Sequence, residues 1–359
     1  MPIEVFDAVT DAEKWHCVLG SLPVPMQDVY FWPEWVRLHR FQPGARAIMF
    51  TYQEANEVWA YPFLLQPITH IGEHAMDQTW FDIETAYGYG GPLASTEETG
   101  FLTEAHCAFA EWCQEQRVVA EFVRLHPLLQ NERWLDPQVE LAYDRETVSL
   151  RLRELNSGEL PYSSTARNML RRAERARLHV QAYPVHNHFD RFVTFYLRTM
   201  ERVHADEYYY FNEDYFRGLR QLTQKTGWLL VAQQDEEWIA TALFLKGPVW
   251  LHYHLSASNP DKRVPGATNQ ILHAAAQIGS EHGLERLHLG GGRTSKPDDS
   301  LLKFKRSMAT DSHSFYIGKR IHNQEVYASL QAIWEQEYPS LVPKYGQRVL
   351  FYRYTKVQQ

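Results

Sequence analysis

The sequence predicts an α+β protein of two tandem domains, each a mixed, mainly antiparallel sheet flanked by helices. Three observations carry this. The chain has 359 residues, more than one hydrophobic core usually organises. Its halves show the same order of periodic segments: two helices, antiparallel strands, a helix and a strand. Equivalent points also recur at one spacing, since Tyr87 and Tyr253, Phe101 and Ala267, and Val119 and Glu285 are each 166 positions apart.

In the first half, DAEKWHCVLGS and PEWVRLHRF read as the helical pair. ARAIMFTYQEANEVWAYPFLLQPI reads as a strand, the polar turn QEANE and a second strand. A longer connection leads to YGYGGP; FLTEAHCAFAEWCQEQ then reads as a helix and VVAEFVRLH as a strand. On the 166-residue spacing, YGYGGP is the counterpart of YHLSAS in the second half, with Gly88, Gly90 and Gly91 letting the backbone bend closely. In the second half, HFDRFVTFYLRTMERV and EDYFRGLRQLTQ form the helical pair. Residues 228–233, 238–246 and 249–256 form an antiparallel meander around QDEE and Gly247-Pro248. Ile271, Leu272, Ala275 and Ile278 follow at helical spacing, Gly283 stands at the C-cap, and LERLHLGGG is the next strand.

The predicted domains are residues 1–150 and 151–359. The second opens on a basic helix at about 165–177, N-capped by Ser163, Ser164 or Thr165 and carrying Arg167, Arg171, Arg172 and Arg175. Arg167 and Arg171 stand four apart, so two guanidinium forks can grip one diphosphate or carboxylate.

The net charge of −8 and pI near 6.1 exclude a general DNA-binding coat or a membrane-surface binder, which need a positive field. Cys17, Cys107 and Cys113 are odd in number and form no CxxC, which predicts a reducing, cytoplasmic setting. Cys107 and Cys113 are expected to be small buried residues of one helix. The N-terminus lacks a basic start with an apolar stretch, and no run of 18 apolar residues predicts a transmembrane segment. HExxH, GxSxG and P-loop patterns are absent, and no metal site is predicted.

The segment order resembles the acyltransferase domain of the GNAT type, so the chain reads as two GNAT-like domains in tandem. In such domains a loop before the crossover helix holds the coenzyme A diphosphate on backbone N–H groups. Here Arg263, Gly266, Ala267 and Thr268 match that loop imperfectly. The first-half equivalent carries Glu97 and Glu98, which repel phosphate. In DDSLLKFKRSM, Asp299 or Ser300 can cap a short helix whose Lys305 reaches a pocket while its stem stays packed. Tyr208, Tyr209, Tyr210 and Tyr215 crowd one segment, and some of them must line a surface or cleft.

YLRTMERVHADEYYYFNEDYFRGL, YHLSASN, NQILHAAAQIGSEHGLERLHLGGG, DSLLKFKRSM and YGYGGPLAS together resemble the Fem family of non-ribosomal peptidoglycan aminoacyltransferases, in its shorter FemX-like form. The resemblance spans residues 31–308 and implies transfer from aminoacyl-tRNA to the amine of a cell-wall precursor. It implies an acceptor, such as a UDP-linked muropeptide, whose phosphates meet Arg167 and Arg171. Tyr209 and Tyr253 would line a cleft between the domains, and Phe304 with Lys305 would stand beside the reacting end, Lys305 as the catalytic residue; the 166-residue spacing separately places Tyr87 and Tyr89 at the rim of that cleft. Two alternatives stay open: an acyl-coenzyme A N-acetyltransferase using the Arg263–Thr268 loop, and a non-catalytic ligand-binding relative. In each case no resident cofactor is expected.

Overall fold

The computed structural model describes residues 2–156, 158–204 and 209–355. The chain forms two compact units, one of Met1–Tyr143 with Phe315–Gln359 and the other of Asp144–Ser314.

The first unit contains β1 (Ile3–Asp7), α1 (Ala12–Ser21), α2 (Pro33–Leu38), β2 (Arg46–Glu54), β3 (Glu57–Ile71), β4 (His74–Glu84), β5 (Leu93–Ala94), α3 (Thr99–Glu115) and β6 (Val118–Arg124). The strand β7 (Glu140–Arg151) leads out of it. The second unit continues with α4 (Ser164–Arg175), β8 (His179–Tyr183), α5 (Val185–Arg202), α6 (Glu213–Thr226), β9 (Gly227–Gln234), β10 (Glu237–Lys246), β11 (Trp250–Ser258), α7 (Ala267–Glu281), β12 (Arg286–Gly291) and α8 (Ser300–Arg306). The strand β13 (Asp311–Ile321) returns to the first unit, followed by α9 (Gln324–Glu337) and α10 (Val342–Tyr345).

Within the first unit the strand order is β1-β2-β3-β4-β6-β13, with β5 beside β3; within the second it is β7-β12-β11-β10-β9-β8. All neighbours run antiparallel except β4 with β6 and β11 with β12, the pairs joined by the crossover helices α3 and α7. The sheet of each unit therefore ends on a strand that chain order assigns to the other half. This corrects the division at 150/151. Residues 315–359 belong with the first unit, because β13 pairs Ile317–Ile321 with Arg124–Ala120 and residues 330–352 bury Leu330, Trp334, Tyr345 and Phe351 against Ile68, Ile71 and Val119.

The duplication holds with a different register. The helix starts Thr99 and Ala267 and the strand starts Val118 and Arg286 lie 168 positions apart. The counterpart of β11 is β4, which the sequence reading took for a connection. YGYGGP follows β4 and is not the counterpart of YHLSAS.

The basic helix begins where expected, with the Ser163 hydroxyl accepting from Ala166 N at 3.2 Å. Ala166, Leu170 and Ala173 recur at helical spacing and bury against α7, leaving the arginines outward. The residues of α4, α7 and α8 share one core with β7, β9, β10, β11 and β12, built on Leu230, Phe244, Leu251, Ile271, Leu287 and Leu302. The helices α5 and α6 pack on each other and on the same strands outside that cluster. Cys113 is buried on α3, but Cys107 is exposed, since residues six apart on a helix stand about 120° apart around its axis and do not share a face. Among the described residues, no helix is long and apolar enough to cross a membrane.

Candidate active site

In the second unit β11 and β12 pair only at Trp250–His252 with Arg286–His288. Beyond these three pairs they separate: β11 stays with β10 to Ser258, and β12 follows β7 to Gly291. Tyr253 is the first residue of β11 past the pairing, and α8 brings Lys305 to the same opening.

Lys305 is the one lysine among the described buried polar residues, 9% exposed. Its Nζ donates to Gly291 O at 2.8 Å and lies 5.8 Å from the centre of the Tyr253 ring. Burial lowers its pKa to about 8; the carboxylate of Asp299 pulls the other way, and the Arg145 guanidinium adds to the lowering. At neutral pH the group is still mostly an ammonium. One donor goes to Gly291, leaving two for a ligand in the opening. The Tyr253 hydroxyl, raised to about 12 by burial, stays protonated.

A short helix can hold this group because its start is fixed. Asp299 Oδ1 accepts from Leu302 N at 2.9 Å as the N-cap of α8. Its Oδ2 accepts from Arg293 N and Thr294 N, each at 3.2 Å, and so binds the preceding loop as well. Phe304 is half-buried against the core of the unit, and Arg306 makes two 2.8 Å bonds to Glu146.

The remaining predicted site residues are dispersed. Arg167 is occupied locally: Nη1 donates to Tyr162 O at 2.8 Å and Leu160 O at 3.3 Å, and Nη2 pairs with Glu159 at 3.1 Å. Arg171 is exposed, with no ion pair among the described residues. The two forks therefore do not face one ligand together. Tyr209 is half-buried, and its carbonyl accepts from Tyr196 Oη at 2.9 Å; Tyr208 lies outside the described residues.

The loop expected to hold a diphosphate has a different use for its glycine. Gly266, the N-cap of α7 at φ +87°, packs so tightly on α4 that a Cβ there would lie 2.1 Å from Met169 O. Close packing accounts for Gly266 and Ala267 without any anion. Arg263 is exposed and Thr268 half-buried.

In the first unit the corresponding opening is filled by YGYGGP. Gly90 forms a bridge with Leu125, and Asn131 Nδ2 donates to Gly90 O and Pro92 O at 2.8 and 2.9 Å. Gly88, at φ +93°, leaves no room for a Cβ beside the Tyr30 ring. Tyr89 packs edge-on against Tyr30, His126 and Phe315, and Tyr87 O accepts from Trp35 Nε1 at 3.2 Å. At the start of α3 the Glu98 carboxylate itself accepts from Gly100 N and Phe101 N, which takes the place of an external anion.

Sequence reasoning missed Arg145 and the role of Gly290–Gly292. The triple glycine was the available signal, since three successive glycines at a strand end mark close backbone approach.

Residues 162–306 match the acetyltransferase (GNAT) domain family. Among solved structures, FemX is similar at 13% identity, with a TM-score of 0.66 over 91% of this chain and 99% of that one. The C-terminal domain of a putative lysylphosphatidylglycerol synthetase from Agrobacterium fabrum is similar at 15% identity and TM-score 0.55, over 92% of this chain and 97% of that one. A conserved protein of unknown function from Bacteroides thetaiotaomicron gives 10% identity and TM-score 0.54, over 89% and 99%. No curated protein matches the sequence. With its crossover helices, its opened β11–β12 pair and these similarities, the chain has the FemX-like tandem fold, and its residues 162–306 carry the match to the acetyltransferase (GNAT) domain family.

Proposed function

We propose that the chain transfers an activated acyl or aminoacyl group to an amine, with the chemistry at the β11–β12 opening of the second unit and Lys305 as its catalytic residue. The observation that carries this is the buried Lys305 ammonium, held on Gly291 O beside Tyr253. In the transfer the amine nitrogen bonds to the acyl carbon, the bond to the leaving oxygen or sulfur breaks, and the amine proton passes to the leaving group. Negative charge grows on the carbonyl oxygen on the way. A desolvated ammonium with two uncommitted donors stabilises that charge far better than water does.

The Fem resemblance supports aminoacyl-tRNA as donor and a UDP-linked muropeptide as acceptor. A lipid-linked acceptor is supported by the likeness to the putative lysylphosphatidylglycerol synthetase. The match to the acetyltransferase domain family favours a second reading, in which the donor is an acyl-coenzyme A. Thermal-shift titrations of the full chain with acetyl-coenzyme A and with UDP-linked muropeptide separate these. Stabilisation by the muropeptide, followed by its aminoacylation when charged tRNA is added, is the expected result. Stabilisation by the coenzyme alone overturns it in favour of acetyl transfer.

A further inference from the structure

The loop between β12 and α8 is gripped from both sides. Arg145 Nη1 donates to Gly292 O at 3.1 Å and to Arg293 O at 3.2 Å. Across the loop, Asp299 Oδ2 accepts from the N–H groups of Arg293 and Thr294. These are the two ends of the same two peptide units, 292–293 and 293–294. Each unit has its carbonyl on a guanidinium and its N–H on a carboxylate, so neither can rotate without breaking a charge-assisted bond.

The glycines make this approach possible. A Cβ on Gly291 would lie 2.8 Å from Glu146 O and 3.1 Å from Arg145 Cδ, and one on Gly292 would lie 2.6 Å from Asp299 Oδ1. Both ends of the clamp bear on Lys305. The gripped units directly follow Gly291, whose carbonyl holds Nζ, and Asp299 also caps the helix on which Lys305 rides. The neighbouring Asp144 carboxylate orients Arg145 in turn, by a short bond to Nε.

We infer that Arg145 and Asp299 are positioning residues: together they clamp the 292–294 backbone and thereby set where the Lys305 ammonium stands in the opening. Neither needs to touch substrate. Among the described residues, the charged groups acting on Lys305 are these two, and its ammonium stands over the Tyr253 ring. The inference rests on the proposed role of Lys305, but the geometry of the clamp can be read without turnover.

The test measures the pH dependence of trace acetylation of Lys305 by acetic anhydride in the full-length protein, read by mass spectrometry of its peptide. The wild type is expected to show a midpoint near pH 8 and a low limiting rate at high pH. In Arg145→Gln the midpoint moves up and the limiting rate rises several-fold, as a cation and a tether are lost. In Asp299→Asn, which puts an amide donor against two N–H groups, the midpoint moves down while the limiting rate again rises. Arg145→Lys keeps the wild-type midpoint but not the low rate, because one ammonium cannot reproduce the fork. Gly292→Ala, a lesion made on the backbone itself, raises the limiting rate should the charge variants fold poorly.

In the transfer assay Arg145→Gln loses about 10- to 100-fold in kcat with KM little changed, the size expected of a misplaced catalytic group. Wild-type midpoints and limiting rates in all four variants overturn the clamp. Full activity in Lys305→Met would instead sink the transfer role, and the acetylation profiles would still decide whether the clamp exists.

Discussion

A lysine that is almost out of water costs stability. Taken from the ordinary 10.5 to about 8, Lys305 disfavours folding by about 3 kcal/mol at neutral pH, an upper value before its bond to Gly291 is counted. The unfolded chain binds the proton between about pH 8 and 10.5 and the folded chain does not, so this penalty shrinks as pH rises through that window. Lys305→Met should therefore unfold at the same or a higher temperature at pH 7 while losing about 100-fold or more in transfer rate. Calorimetry paired with the transfer assay checks both, and a variant that loses activity by unfolding would contradict the assignment. The sequence reading singled out Lys305 because a basic residue follows an apolar one on a short helix. It could not show that Arg167 spends its donors on Tyr162, Leu160 and Glu159, since those partners lie in an irregular segment whose path no periodicity encodes.

Most helices and strands were legible as elements because their apolar residues repeat at the spacing of one face. The strand β4 shows the limit of that signal: all of its first eight residues are only partly covered or exposed in a pattern without alternation, so HAMDQTWF reads as a loop, and β1, β8, β13, α9 and α10 were not placed from sequence either. The seam between α4 and α7 was also illegible, because it depends on a glycine against a carbonyl. Gly266→Ala has to hold φ +87° with a Cβ 2.1 Å from Met169 O, and should cost about 3 kcal/mol or more, seen as a lowered unfolding temperature. In the first unit, Arg353 is bonded to the fully buried Asp82 and anchors the C-terminal segment to β4. Removing it as Arg353→Ala leaves an unpaired buried carboxylate and should cost about 3–5 kcal/mol. Burial already raises Asp82 to about 6, with Arg353 opposing. Between about pH 3.8 and 6 the folded chain keeps a proton that the unfolded chain gives up, so this group's contribution falls as pH rises through that window. The fall should extend to higher pH in Arg353→Ala, which denaturant titrations at pH 5, 6 and 7 would reveal.

At the level of the whole molecule, the duplication was readable from the order of its segments, while its exact register and the ownership of the end strands were not. A strand long in sequence from its partner carries no local mark of where it will pair. A chain ending at Ser314 keeps the complete second unit and leaves the first without β13, α9 and the segment that buries Trp334. Hydrogen exchange on that truncated chain should show protected amides in β9–β12 and loss of protection in β3 and β6; protection retained in both units would refute the division.

The same arrangement orders events in time. During synthesis the N-terminal unit begins first, yet the strand that flanks β6 is joined to it across 193 positions, from Arg124 to Ile317. The later unit holds all of its strands by Arg286–Gly291 and can close while β13 is still inside the ribosome. The earlier half must wait with an open hydrophobic edge, so the portion made first is the portion finished last, and it is there that a nascent chain would call on a chaperone.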